Sequence, residues 1–181
     1  MSITLQHLDP AGEDREPLVD FLTRNDFPFH VGVRVNRAEA ERRVDSGAWR
    51  DEESDSHWLV HSELGIVGVI RLEDLADPTP MFDLRLDNHF RGRGLGAEAL
   101  RVATDHVFTT LPVDRFEGCT RVDNVAMRRT FAACGWVKEA HFRRGWPVTG
   151  AEPVDAVNYS ILRSDWASGG TTPVAFDDLG F

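Results

Sequence analysis

Apolar positions in the first third of the chain switch from the spacing of a strand to the spacing of helices. Ile3–Leu8 alternates and predicts a first strand. Glu13–Thr23 places its apolar residues on one face and predicts a helix, and Asn36–Trp49 predicts a second helix that opens on an asparagine N-cap. Glu39, three residues after that asparagine, makes a capping box possible. The segment between the two helices, Asn25–Val35, is predicted to be irregular.

The rest of the pattern predicts mostly strands, with two further helices and glycine or proline turns between them. The predicted elements are a hairpin of Trp58–Val60 and Ile66–Leu72, a strand at Met81–Leu86, a helix at Ala97–Phe108, a strand at Arg115–Val122, a helix from Asn124 to Ala133, and closing strands at Trp136–Phe142 and Ala156–Leu162 joined by a loop, Gly145–Pro153. This order predicts an α+β fold around one mixed sheet. We expect one domain over residues 1–166 and a C-terminal tail over residues 167–181.

Acidic residues outnumber basic ones by 30 to 20 among the 181 residues, and the formal net charge is −10. This balance argues against nucleic acid or an anionic membrane as the main partner and suits a cationic acceptor such as an amine. Cys119 and Cys134 indicate no disulfide framework, and His57 and His61 form no HExxH motif, so no metal site is expected. With no secretory leader and no apolar run of the roughly 20 residues that cross a bilayer, we expect a cytoplasmic protein.

A glycine-rich run, RGRGLG at residues 91–96, lies between a predicted strand and a predicted helix. Glycines here let backbone N–H groups approach a ligand closely, and a helix N-terminus favours an anion. The run therefore predicts a site for a phosphate or pyrophosphate group. It lacks the lysine of a P-loop, and Ala97 stands where the third glycine of a dinucleotide-binding fingerprint would fall. A tight strand–turn–helix connection without a ligand is the alternative.

Read as R-x-x-G-x-G, the same run resembles the acetyl-CoA pyrophosphate loop of the GNAT N-acetyltransferase superfamily. A second GNAT-like motif follows, in which Asn124 opens a helix and Gly135 and Trp136 close it. The segment RVDNVAMRRTFAACGWVKEAHFRRGWP is similar to the RimJ/RimL-like, ribosomal-protein branch of that superfamily. The resemblance covers Ile3 to Trp166 and implies the GNAT fold, a single domain with a mixed, mostly antiparallel twisted sheet flanked by helices.

The resemblance also implies where acetyl-CoA binds as co-substrate. The backbone of Leu84 and Leu86 would pair with the pantetheine arm like an added strand, and Asn124 would hydrogen-bond a pantetheine amide. Each has a structural alternative, the leucines as core residues and Asn124 as a helix cap. The residues implied to hold the pyrophosphate are Arg91, Gly92, Arg93, Gly94, Leu95, Gly96 and Ala97.

The positions where this family places its catalytic acid carry other residues here. Many members have tyrosine at the place of Phe131, and the ribosomal-protein branch often has serine at the place of Met127. The catalytic candidates that remain are Glu117, as a base acting through water, and Tyr159, the only tyrosine. A surface ion pair and a core position are their respective alternatives. Weaker candidates are Asp83, His141 and Cys119.

These motifs predict an acyl-CoA-dependent N-acyltransferase that moves an acetyl group from acetyl-CoA to a primary amine by direct attack in a ternary complex. The main alternative is a catalytically silent GNAT-fold module that binds CoA, and a weaker third is a nucleotide-binding domain of another fold. The CoA-binding motifs favour the first two. The missing tyrosine and serine support the silent module, but GNAT enzymes often work without a dedicated acid because a thiolate leaves readily, so the enzyme is the leading interpretation.

The sequence leaves two classes of acceptor, a small-molecule amine and a protein N-terminus. Without a strong base, an α-amine is favoured over a lysine, since roughly a tenth of α-amines and about one lysine in a few thousand are neutral at pH 7. Phe27–Phe29 and Trp146 are expected to shape the acceptor pocket. Family analogy allows a homodimer through the last strands or the tail.

Overall fold

The computed structural model describes residues 2–30 and 34–175 as one α+β domain. Its elements run β1 (Ile3–His7), α1 (Arg15–Arg24), α2 (Arg37–Asp45), β2 (Asp55–His61), β3 (Gly65–Glu73), β4 (Met81–Leu86), a 3-10 turn (Asn88–Phe90), α3 (Leu95–Thr110), β5 (Arg115–Arg121), α4 (Val125–Ala133), β6 (Val137–Val148), β7 (Ala151–Leu162) and α5 (Arg163–Ser168). This order confirms the predicted fold class.

The strands form two antiparallel sheets rather than the one continuous sheet predicted, in the orders β1-β2-β3-β4 and β5-β7-β6. The sheets meet where β4 and β5 begin: the Glu117 N–H donates to the Pro80 carbonyl oxygen at 3.1 Å. One residue further along β5, Gly118 lies against the ring of Phe82 on β4, and a Cβ built on that glycine would lie 2.7 Å from Phe82 and 2.9 Å from Phe131. Beyond this contact the two strands diverge, and the divergence opens a space at the edge of β4.

Two apolar clusters hold the sheets and helices together. One lies between the sheets and helices α3 and α4 and includes Phe116, Phe131 and Trp136. The other packs α1 and α2 against the first sheet and includes Phe21 and Phe27, whose rings lie 5.9 Å apart. Because Phe27 is anchored in the second cluster, the chain that follows α1 is held close to β4.

Helix α2 begins where predicted and ends early. The Asn36 Oδ1 accepts a hydrogen bond from the Glu39 N–H at 2.9 Å, which confirms the N-cap. The Glu39 carboxylate pairs with Arg43 and Arg42 instead of closing a capping box. The helix stops at Asp45 rather than Trp49 because Gly47 has φ +81°, a left-handed conformation that ends helices.

The prediction of a loop at Gly145–Pro153 was wrong, since β6 runs to Val148 and β7 begins at Ala151. The pairing of β6 with β7 shifts register between Phe142 and Trp146, and the resulting bulge accommodates Gly145. Pro147 lies on β6, which is the edge strand of its sheet. Pro153 lies on β7 before the part that pairs with β5. Neither proline therefore interrupts the hydrogen bonds of a central strand.

The predicted boundary between the domain and its tail falls inside α5. Just beyond that helix, the N–H and hydroxyl of Thr172 donate to the Asp165 carboxylate at 3.0 and 2.7 Å, which ties residue 172 to the domain. Residues 176–181 of the predicted tail, residue 1 and residues 31–33 of the irregular segment lie outside the described residues. Within the described part of the chain, no helix has the length and apolarity needed to cross a membrane.

Three histidines meet on the face of the first sheet that packs against α3. His57 on β2 is buried, and its ring lies 5.2 Å from the His106 ring and 6.0 Å from the His7 ring. Its Nε2 lies 3.6 Å from the Asp55 carboxylate. Burial lowers the pKa of His57, and the two neighbouring histidines lower it further, while Asp55 opposes them.

We expect this cluster to make the fold sensitive to acid. A histidine with a lowered pKa in the folded protein binds a proton more readily in the unfolded chain, so the free energy of unfolding falls as pH drops below the ordinary histidine pKa. In urea titrations at about pH 7.5 and about pH 5.5, His57→Phe should lose less stability on acidification than the wild type. Equal losses in the two proteins would contradict this, and titrations above pH 7.5 serve as the control because His57 is neutral there in both states.

Candidate active site

Two cavities lie side by side where β4 and β5 diverge. The larger has a volume of about 500 Å³ and lies between the end of β4, the glycine-rich run and the start of α4. The smaller, about 340 Å³, lies between the middle of β4, the end of β5 and Trp146 of β6. The residues that line both cavities are Phe29, His30, Leu84, Arg85, Asn124 and Met127. This shared wall makes the two cavities one connected site.

The glycine-rich run forms one end of the larger cavity, as predicted. Gly92 and Gly94 have φ +73° and +83°, and no atom lies within 4 Å of a Cβ built on either, so the loop backbone borders open space. Gly94 is the N-cap of α3, and its carbonyl oxygen already accepts from the Ala97 N–H at 3.1 Å. The N–H groups of Leu95 and Gly96 precede the first intrahelical bonds and remain for an anion.

The two arginines of the run have different surroundings from those implied by the resemblance. Arg91 donates to the Leu86 carbonyl oxygen at 2.9 and 3.0 Å and to the Asp26 carbonyl oxygen at 2.6 Å. It thereby joins the end of β4 to the chain after α1, although it still lines the larger cavity. Arg93 lies over the Phe90 ring, and the Leu95 side chain is buried in the core, so neither is part of the cavity lining.

Strand β4 offers backbone groups to the larger cavity at the residues predicted. The Asp87 N–H donates to the Val67 carbonyl oxygen at 2.9 Å, which marks residues 67 and 87 as a hydrogen-bonded pair. Because such pairs alternate along an antiparallel ladder, the N–H and C=O groups of Leu86 and Leu84 point away from β3. Strand β4 is an edge strand, so these groups face the cavity. The Leu86 carbonyl oxygen already accepts a hydrogen bond from Arg91 there.

Asn124 is the N-cap of α4, which confirms the structural role considered for it. Its Oδ1 accepts from the Met127 N–H at 3.2 Å, and its Nδ2 donates to the Thr120 hydroxyl at 2.9 Å. An asparagine amide has a second hydrogen and a second lone pair. Asn124 lines both cavities, so its geometry allows a contact with a bound ligand. Its hydrogen bond to pantetheine stays a prediction.

The two catalytic candidates lie off the lining of both cavities. Tyr159 is buried and stacks on the Phe131 ring, with centroids 4.6 Å apart. Its hydroxyl accepts from the Arg128 Nε at 3.4 Å. Glu117 accepts from Arg115 at 3.0 Å and from Asn158 at 2.8 Å. Both side chains therefore have protein partners, which favours the structural alternatives considered for them, an ion pair for Glu117 and a core position for Tyr159.

Two of the three weaker catalytic candidates line a cavity, and the third does not. Cys119 and Asp83 line the smaller cavity, whereas His141 is paired with Asp155 at 2.7 Å and does not. Burial raises the pKa of the Cys119 thiol, which keeps it protonated and a poor nucleophile. The expected aromatic walls are present, with Phe29 and Trp146 on the smaller cavity.

Sequence reasoning missed a linked set of three side chains on β4 and the chain after α1. The His30 Nε2 lies 2.8 Å from the Asp83 Oδ1, and Arg85 donates to the Asp83 Oδ2 at 2.6 Å. Burial raises the pKa of Asp83, but Arg85 and His30 outweigh burial and hold that pKa well below its usual range. His30 and Asp83 are 53 residues apart, and no motif spacing signals their contact. Arg129, which also lines the larger cavity, was missed because α4 exposes it like any surface arginine.

No three metal-ligating side chains among residues 2–30 and 34–175 lie close enough together to hold a metal ion. The donors of the site are instead backbone N–H groups, one amide and arginines, which suit phosphate and amide groups. The fit to a CoA-like ligand therefore comes from the free β4 backbone, the start of α3 and a cavity between them.

A sequence profile described as an acetyltransferase (GNAT) domain matches residues 3–137 of this chain. A comparison with curated protein sequences gives no significant match. Among solved structures, spermidine N-acetyltransferase from Vibrio cholerae in complex with CoA and spermine has a TM-score of 0.77 and 18% identity, over 92% of this chain and 98% of that one.

Two further structures of the Vibrio cholerae enzyme resemble the chain to a similar degree. Spermidine/spermine N-acetyltransferase SpeG with manganese ions gives a TM-score of 0.72 at 16% identity, over 93% of this chain and 96% of that one. A chimera of SpeG with hSSAT gives 0.77 at 17% identity, over 92% and 99%. At these identities the likeness establishes a shared fold.

We expect Gly94→Ala to weaken CoA binding, because its Cβ would enter the space beside the α3 N-terminus and the left-handed backbone disfavours alanine. Gly150→Ala, at φ +74° in the β6–β7 turn, is the matched control. Both variants should be less stable by about 1–2 kcal/mol. Only Gly94→Ala should raise the Kd of CoA in calorimetry, by roughly tenfold, which corresponds to about 1.4 kcal/mol. Equal CoA affinity in the two variants would contradict a pyrophosphate site at this loop.

Proposed function

Because the chain belongs to the GNAT acetyltransferase family, whose profile spans residues 3–137, we propose that its larger cavity binds acetyl-CoA and its smaller cavity binds the amine. The protein is an acetyl-CoA-dependent N-acetyltransferase. The observation that supports this placement is the shared wall of the two cavities, since the thioester and the amine must meet within bonding distance.

In this placement the pyrophosphate lies against the N–H groups of Leu95 and Gly96 at the start of α3. The pantetheine arm follows the free edge of β4, where Leu84 supplies outward N–H and C=O groups. Asn124 contributes its remaining amide hydrogen to the arm from the opposite side. Arg129 lies on the same cavity and supplies positive charge for a phosphate group.

The reaction proceeds by direct attack of the amine on the thioester. Cys119 is the one thiol on the cavity lining, and burial raises its pKa, which disfavours a covalent acetyl-enzyme. The neutral amine nitrogen bonds to the acetyl carbon, the carbon–sulfur bond breaks, and CoA leaves as a good leaving group. A backbone N–H on the cavity side of β4 is placed to stabilise the oxyanion.

The smaller cavity favours an acceptor with one positive charge beside an apolar group. Its walls include Phe29, Met81 and Trp146. The two carboxylates on its lining are already paired, Asp83 with Arg85 and Glu73 with Arg71. A polyamine needs several unpaired acceptors along its length, whereas both carboxylates that the described residues place on these walls are paired. We infer that the acceptor is an α-amine, as in a peptide N-terminus, which is also the substrate class of the RimJ/RimL-like branch.

The acceptor class is testable with matched peptides. We expect a peptide with a free α-amine and a leading apolar residue to be acetylated faster than an N-terminally blocked peptide with one lysine. At pH 7 the kcat/KM difference should be about a hundredfold or more, since far less lysine is neutral. Thiol release from acetyl-CoA measures both, with spermidine as a third acceptor. Equal rates on both peptides, or a preference for spermidine, would reject the α-amine assignment.

We expect Glu117→Gln and Tyr159→Phe to keep a kcat close to that of the wild type. Each side chain lies off the cavity lining and contacts protein partners, so removing its ionisable group leaves the reacting atoms untouched. Steady-state kinetics with the preferred peptide measure this. A loss of about a hundredfold with unchanged CoA affinity would restore a catalytic role to the residue concerned.

Two further expectations from the sequence stay predictions. The cytoplasm is the proposed compartment, and a homodimer through the last strands or the tail is the proposed assembly. The long edge strand β6, with Phe142 half-exposed at 49%, supports an interface on that side.

A further inference from the structure

We propose that His30, held by Asp83, is the base that removes the proton from the acceptor ammonium group. This inference rests on the proposed placement of the two substrates and deepens it. It fills the role for which the family positions, Phe131 and Met127, carry no acid or base.

The first argument is position. The His30 ring lines both cavities, and so do Leu84 and Arg85 on β4, the strand along which the thioester lies in the proposed complex. A base that acts on the attacking amine must reach the place where the two substrates meet. Glu73 also lines the smaller cavity, but it is absent from the shared wall and is bound by Arg71 at 2.7 Å.

The second argument is the tautomer. Arg85 and His30 together outweigh burial and keep Asp83 ionised, so the His30 Nε2 at 2.8 Å must carry the hydrogen of that bond. In the neutral ring, the other nitrogen, Nδ1, then has a free lone pair. It is buried, and no hydrogen-bond partner for it exists among residues 2–30 and 34–175. A buried acceptor without a partner is rare in folded proteins, and an amine N–H would satisfy it.

The third argument is the fixed orientation of the ring. The His30 N–H donates to the Phe27 carbonyl oxygen at 3.1 Å, and the His30 ring packs edge-on against the Phe27 ring at 5.6 Å. Asp83 is itself held by two groups of Arg85. A carboxylate and an aromatic ring therefore hold the imidazole in one orientation, which is how a carboxylate partner prepares a catalytic histidine.

The proton balance of the step is complete without another reactant. His30 Nδ1 takes one proton from the ammonium, and the neutral nitrogen bonds to the acetyl carbon. The second amine proton goes to the departing CoA sulfur as the carbon–sulfur bond breaks. His30 then returns its proton to solvent.

The test compares two histidine–aspartate pairs of this chain. His30→Gln retains an amide donor for Asp83 and removes the base, and His141→Gln does the same at the pair with Asp155, outside the site. We expect His30→Gln to lower kcat by about a hundredfold near pH 7 with little change in CoA affinity. The loss should shrink as pH rises and more of the amine is neutral. His141→Gln should behave like the wild type.

The charged and titratable groups around His30 are Asp83 and Arg85 from β4, Glu73 from β3 and Cys119 from β5 on the smaller cavity, with Arg91 and Arg129 on the larger cavity that His30 also lines. Added imidazole should partly restore the activity of His30→Ala, a result that a purely structural role would not give. A kcat and pH profile of His30→Gln equal to those of the wild type would overturn the assignment. Absence of transfer by the wild type to every amine would instead reject the proposed function, so the two failures are distinguishable.

Discussion

The contact between Gly118 and the Phe82 ring is the constraint on which the site depends. A side chain at residue 118 would collide with Phe82 and with Phe131, so the two sheets can approach here only because the residue is glycine. The backbone hydrogen bond from the Glu117 N–H to the Pro80 carbonyl oxygen fixes the position of β5 along β4. From that fixed point the strands separate, and every part of the site, from the free β4 backbone to the acceptor walls, occupies the resulting gap.

A short segment, Asp26–His30, spans this gap and is held at both sides. Arg91, from the glycine-rich run, binds the Asp26 carbonyl oxygen at 2.6 Å, and Arg121, at the end of β5, binds the Pro28 carbonyl oxygen at 3.3 Å. Asp83 of β4 binds the His30 ring. The segment is thus attached to the glycine-rich run, to β5 and to β4, which is why its aromatic residues can serve as walls for two ligands at once.

Features set by neighbouring residues could be predicted from the sequence, and features set by distant contacts could not. The caps at Asn36 and Asn124 and the left-handed glycines at the start of α3 follow from local backbone chemistry. The pair of His30 and Asp83 requires two segments to meet across the fold. The ion pair considered for Glu117 is present with Arg115, but the alternation along β5 gave no sign of the hydrogen bond from Asn158, which lies on a strand 41 residues away.

Strand β4 leaves one edge without a neighbouring strand, and such an edge invites pairing with any extended chain, including another copy of the protein. Here Phe27–His30 border the same cavity as that edge, and the Arg91 guanidinium donates to the Leu86 carbonyl oxygen at the end of the edge. The opening that remains is the cavity itself. The same residues that shape the binding site therefore protect the molecule from self-association, so that substitutions in this segment carry a risk of aggregation as well as a loss of binding.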